Sequence, residues 1–154
     1  MTLSVKEQEQ HIVQTLKQRA DRLIKIRKDK KALPALRKYY QDNPIDFIND
    51  WGMTFDPRNK DIGLPSVIPF TLFDRQKEWL QFTMDCWSNR SNFLTEKTRE
   101  MGLSWLAVAL ASTLCLFREG MVIGFGSRKE ELVDKLDSPP GDRLTSWIVF
   151  CHWK

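Results

Sequence analysis

Along the first thirty positions apolar residues recur with a helical period, and Ile12, Val13, Leu16, Ala20, Leu23 and Ile24 form one stripe. Ser4 stands three places before Glu7, the spacing of a capping box, so a helix is predicted over residues 4–31. Its polar face turns basic toward Arg27-Lys28-Asp29-Lys30-Lys31, which suits a helix C-terminus, and Pro34 breaks it. A second short helix is predicted over residues 35–40, closed by a loop at Asn43-Pro44. Residues 44–69 are aromatic but interrupted by Pro57, Pro65 and Pro69, which predicts a short helix and then an irregular crossing segment. Leu72, Gln76, Trp79, Leu80 and Met84 share a helical face and predict a helix over residues 74–87.

The period then changes. Asn92-Phe93-Leu94-Thr95 reads as a short strand, and Ser104 to Arg118 reads as a helix apolar nearly all round, as expected of burial against a sheet. Gly120 ends that helix, and Met121-Val122-Ile123-Gly124-Phe125 reads as a second strand covered on both faces. Lys129–Leu136 begins another helix. Strand, loop, helix, strand, turn, helix is the pattern of an α/β unit with a parallel sheet. Residues 137–142 are a breaker cluster, and Trp147–Cys151 has strand character without a following carboxylate. The predicted organisation is a basic helical arm over 1–43, an α/β unit over 44–136 and a divergent tail over 137–154.

Charge separates the arm from the rest. The net charge is +4, but residues 1–40 hold eleven Lys or Arg against four Asp or Glu, and the remainder holds thirteen against sixteen. The arm is thus either a solvated amphipathic helix packed lightly on its own domain or self-associating, or an adaptor that docks a partner or touches phosphate backbone. Three scattered cysteines and two histidines argue against a disulfide framework or a structural zinc site, and for a reducing compartment. The N-terminus lacks signal-peptide character, and the longest apolar run is shorter than the roughly 20 residues of a membrane span.

The candidate chemistry lies between the first strand and the apolar helix, at Glu96-Lys97-Thr98-Arg99-Glu100-Met101-Gly102-Leu103-Ser104-Trp105. A phosphate-binding loop of the form G-x-x-x-x-G-K-[ST] places glycine first and lysine seventh. With Gly102 sixth and Ser104 eighth, Lys97 stands first and Leu103 seventh, so the lysine has moved to the other end of the loop. Backbone N–H groups from Gly102 onward open a helix whose dipole favours anions, and the Ser104 hydroxyl is placed to ligate Mg²⁺. Lys97 offers a point charge and Arg99 a planar fork. The plainer alternative is an ordinary turn with Lys97, Arg99 and Glu100 solvated.

Lys97-Thr98-Arg99-Glu100-Met101-Gly102-Leu103-Ser104 resembles the deviant Walker A motif of the large terminase subunit of tailed bacteriophages, the ATPase that packages DNA. Phe73-Asp74-Arg75-Gln76 resembles that family's adenine-binding stretch, and Gly124–Glu131 the segment after its second strand. The resemblance spans residues 44–136. It implies an additional-strand, helicase-like P-loop parallel sheet, with ATP and Mg²⁺ as cofactors. Gln76 would read adenine with Phe73 or Arg75 near the base. Lys97 would neutralise phosphate charge and Arg99 would clamp the γ-phosphate. Thr98, Glu100 and Met101 would complete the loop, Gly102 and Leu103 would offer N–H groups, and Ser104 would hold Mg²⁺. Phage DNA, a portal or a small terminase subunit would be partners, oligomers are possible, no membrane is implied, and the location would be the cytoplasm of the bacterial host.

The family pattern stops after Lys135, before any Walker B Asp, catalytic Glu or nuclease site. The expectation is therefore a truncated or frame-shifted terminase product. Such a half-site would bind ATP weakly at best and not hydrolyse it, so no residue is assigned a catalytic role. The alternative is a non-catalytic interaction protein that docks a terminase or portal partner through its N-terminal helix.

Overall fold

The computed structural model describes residues 4–97 and 102–125. Five α-helices dominate them: α1 Val5–Lys28, α2 Leu33–Asp42, α3 Pro44–Trp51, α4 Asp74–Ser88 and α5 Leu103–Phe117. Two short strands, β1 Met53–Phe55 and β2 Val67–Pro69, pair antiparallel with Thr54 opposite Ile68.

The capping box at the start of α1 forms as its spacing predicts. Ser4 Oγ accepts from the Glu7 N–H at 3.4 Å, and Glu7 Oε2 accepts from the Ser4 N–H at 2.7 Å. The bond to the Ser4 backbone holds the Glu7 carboxyl below its ordinary pKa. Helix α1 ends at Lys28 because the Asp29 side chain accepts from the Lys31 N–H, turning the chain into a 3₁₀ turn over Lys30–Ala32. Pro34 then sits in the first turn of α2, where its missing N–H is harmless.

The core is a helix-on-helix layer. Ile48 of α3, Leu80 of α4, and Leu106, Leu110 and Leu114 of α5 close around Phe70 and Leu72 from the preceding loop. Phe47 meets Tyr40 and Phe117 edge to face at 5.2 and 4.9 Å, and the Tyr40 and Phe117 rings lie tilted at 6.1 Å, tying α2 and α3 to the end of α5. Gly52 at the end of α3 is required by space, since a Cβ there would lie 2.3 Å from the Ile48 carbonyl oxygen. That close approach lets the Gly52 carbonyl accept from the Phe70 N–H at 2.8 Å. Asn49 Oδ1 accepts from the Leu72 N–H at 3.1 Å, so α3 fixes the chain as it enters α4.

The expected α/β architecture, a P-loop parallel sheet with helices, is overturned. Among the described residues the only ladder is the β1–β2 pair, and no strand forms at residues 92–95 or 121–125. An extended segment becomes a strand only when a neighbour takes up its N–H and C=O groups. Residues 92–95 are instead held by side chains. Phe93 packs against Trp79 and Phe82 of α4, at 6.4 and 5.6 Å between ring centroids, and Thr95 Oγ1 accepts from Trp79 Nε1 at 2.9 Å. Leu94 and Val122 are 95% and 89% exposed, which a strand covered on both faces forbids. Helix α5 is buried as its composition predicts, but α2, α3 and α4 cover it rather than a sheet. The helix expected from Lys129 and the strand expected over 147–151 lie outside the described residues.

Helix α1 lies against the body through few contacts. Its stripe is mostly open: Ile12 is buried, whereas Val13 is 60% and Ile24 50% exposed. Polar anchors hold it. Arg19 Nη1 donates to the Gly52 carbonyl at 2.7 Å and Nη2 to the Asn49 carbonyl at 3.0 Å, supplying donors and charge to the C-terminal end of α3. Arg22 pairs with Asp50, which also accepts from the Tyr40 hydroxyl at 3.0 Å. Among the described residues no helix is long and apolar enough to cross a membrane.

Candidate functional site

Two helix N-termini meet at the candidate site, and the loop entering α4 positions one of them. Phe73 precedes α4 in extended conformation and its ring is 74% exposed. Its N–H donates to Gln76 Oε1 at 3.0 Å, which orients the Gln76 amide. The other face of that amide points at the start of α5: a Cβ built on Gly102 would lie 3.5 Å from Gln76 Nε2. Gly102 has φ +70°, a left-handed conformation that glycine adopts without the strain a side chain brings.

No side chain caps α5. Its first intrahelical bond runs from the Leu106 N–H to the Gly102 carbonyl at 3.0 Å, so the N–H groups of Leu103 and Ser104 have no acceptor within the helix. Ser104 is exposed in this first turn, while Leu103 packs against the core. Backbone donors, a hydroxyl and an amide N–H₂ thus share one end of the helix pair, with chemistry suited to an anion with a polar ring attached.

The other predicted site residues fall less closely together. Arg75 is exposed and its guanidinium is committed to Glu78 at 2.8 Å, one turn along α4. Lys97 is exposed at the end of the segment held by Trp79 and Thr95. Thr98, Arg99, Glu100 and Met101 lie outside the described residues. Among the described residues no three His, Cys, Asp or Glu are grouped to hold a metal ion. The Ser104 hydroxyl therefore fits Mg²⁺ only as one ligand of an ion arriving with its own phosphate oxygens.

Residue spacing alone does not show the contacts that build this corner. Asn49 and Trp79 carry ordinary side chains in helical patterns, yet one fixes the entry to α4 and the other anchors the segment leading to Lys97. A polar group within each helical run was the available signal. No family model matches the chain, and no curated protein and no solved structure matches it either.

Proposed function

We propose that this chain is a nucleotide-binding piece of a DNA-packaging ATPase of the phage large-terminase kind, holding ATP without hydrolysing it alone. One observation carries the reading: Gln76, which the terminase resemblance assigns to adenine, stands against Gly102, which it assigns to the phosphate turn. Twenty-five residues separate the two in the chain, and α4 and α5 bring them together. The support is for the local corner and does not extend to a parallel sheet.

In this reading the N–H groups of Leu103 and Ser104 receive phosphate oxygens, and the helix dipole adds to their attraction. Lys97 and Arg99 supply positive charge from the opposite end of the loop. Bound Mg²⁺ would offset phosphate charge, with the Ser104 hydroxyl as one ligand. Gln76 Nε2 is a donor toward a base edge, and its Oε1 retains a second lone pair beside the bond from Phe73. Phe73 offers an exposed ring face for the base. Hydrolysis needs a carboxylate that activates water, and the resemblance assigns none to this corner.

Displacement of a fluorescent ATP analogue in the presence of Mg²⁺ tests the assignment. ATP is expected to displace it better than GTP, with Gln76→Ala removing the preference but not the binding. Equal displacement by ATP and GTP in the intact chain contradicts the role of Gln76. Measurable turnover by the purified chain contradicts the claim that the site is incomplete.

A further inference from the structure

Two apolar cavities run together on the face where α1, α2, α3 and α5 meet. The larger, about 620 Å³, is lined by Leu23, Ile26, Leu33, Leu36 and Leu116, with Arg37 at its edge. The second, about 420 Å³, shares Phe47, Trp51 and Leu116 with it and continues past Gly52. Leu33 and Leu116 are 45% and 52% exposed, so the floor is open rather than an enclosed core void.

The chain segment that supplies Leu23, Ile26, Leu33 and Leu36 to this face is strongly basic. Residues 17–38 hold ten Lys or Arg against two Asp. Asp29 is occupied by the Lys31 N–H. Outside that span, the nearby Asp50 is occupied by Arg22 and Tyr40. Arg27, Lys28, Lys30, Lys31 and Arg37 are all exposed, and none has an ion-pair partner among the described residues. An apolar trough lined by Arg37, with four further unpaired cations in the stretch of chain between its wall residues Ile26 and Leu33, asks for a ligand apolar on one face and acidic on the other.

We propose that this groove docks an amphipathic helix of another protein, apolar toward the floor and rich in Asp and Glu toward the rim. A helix meets both demands because anchors at i, i+3, i+4 and i+7 fill a trough while carboxylates flank them. Nucleic acid would answer the rim but not the floor, since phosphate contacts go to polar groups. A second copy presenting its own α1 would bring like charge to like charge. This site is separate from the α4–α5 corner and stands or falls independently of the nucleotide reading.

The test uses the full chain and a fluorescein-labelled model helix of about 18 residues, with a Leu stripe and Glu elsewhere, followed by anisotropy. The Glu peptide is expected to bind, and its Lys counterpart to bind at least about tenfold more weakly. Leu116→Glu is expected to abolish binding, and Arg37→Glu to weaken it about tenfold with a shallower salt dependence. Should Leu116→Glu lower the melting temperature, Leu33→Glu makes the same test from the opposite wall. Absence of binding, equal binding of the Lys peptide, or indifference to both Leu variants overturns the proposal. So does duplex DNA binding that Leu116→Glu abolishes, or self-association that it abolishes. Peptide binding that emerges only after Trp147→Asp and Ile148→Asp also overturns it, by making the chain's own tail the occupant.

Discussion

Helices α5 and α1 are both amphipathic or apolar by sequence, yet opposite forces hold them in place. Helix α5 buries Leu106, Val108, Leu110, Ala111 and Leu114 within one helical run, so removal of apolar area from water dominates its attachment. Helix α1 has 24 residues against the 15 of α5 yet buries only Ile12, and its attachment depends on Arg19 reaching two carbonyls and Arg22 reaching Asp50. Apolar spacing thus marks a helix without saying whether its stripe is covered. In α5 the stripe became core; in α1 much of it stayed available, and its C-terminal half became one wall of a groove.

The comparison breaks first if the core is not where the stability lies. Leu80→Ala, at a fully buried position, is expected to destabilise the chain by about 2–5 kcal/mol in urea unfolding, since the cavity adds to the lost transfer energy. A loss no larger than that of a surface substitution would contradict the α3–α4–α5 core.

Arg19→Ala should act differently. It leaves the carbonyls of Asn49 and Gly52 without their charged donor, at about 1–3 kcal/mol. Hydrogen exchange is expected to rise across α1 while α5 keeps its protection. Equal deprotection of both helices would show that α1 is integral to the core.

Legibility followed the same divide. The cap at Ser4, the run of α4 from Asp74 and the span of α5 depend on neighbours a few residues apart, and sequence spacing records those. The expected strands at 92–95 and 121–125 depended on partners elsewhere in the chain, which a short apolar run does not specify. Phe93 and Thr95 found side-chain partners on α4, where a sheet had been expected. At the candidate site, the sequence points to Gln76 and Gly102 separately, and only the packing of α4 on α5 brings them close together. Arg19 was one basic residue among eleven in the arm, and nothing in its spacing distinguishes it.

The smallest effect sharpens the picture at the tip of α1. Ser4→Ala is expected to lower stability by about 1 kcal/mol or less, read as increased exchange over the first turn. Because the folded Glu7 carboxyl titrates below its unfolded value of about 4.3, its contribution is fully present above that pH. It is lost as pH falls through the lower folded value. Glu7→Gln is expected to remove that part of the acid dependence, and an unchanged acid limb would contradict the capping role.

Thermal unfolding with and without ATP·Mg²⁺ bears most directly on the central claim, that α4 and α5 together form a nucleotide corner. Ligand that binds only the folded chain raises stability by mass action, about 2.7 kcal/mol at a hundredfold excess over Kd and less for a weak site. A rise of a few degrees at millimolar ATP·Mg²⁺ is expected, reduced by Ser104→Ala and further reduced when Gln76→Ala is added. No rise, or a rise that both substitutions leave untouched, would contradict it.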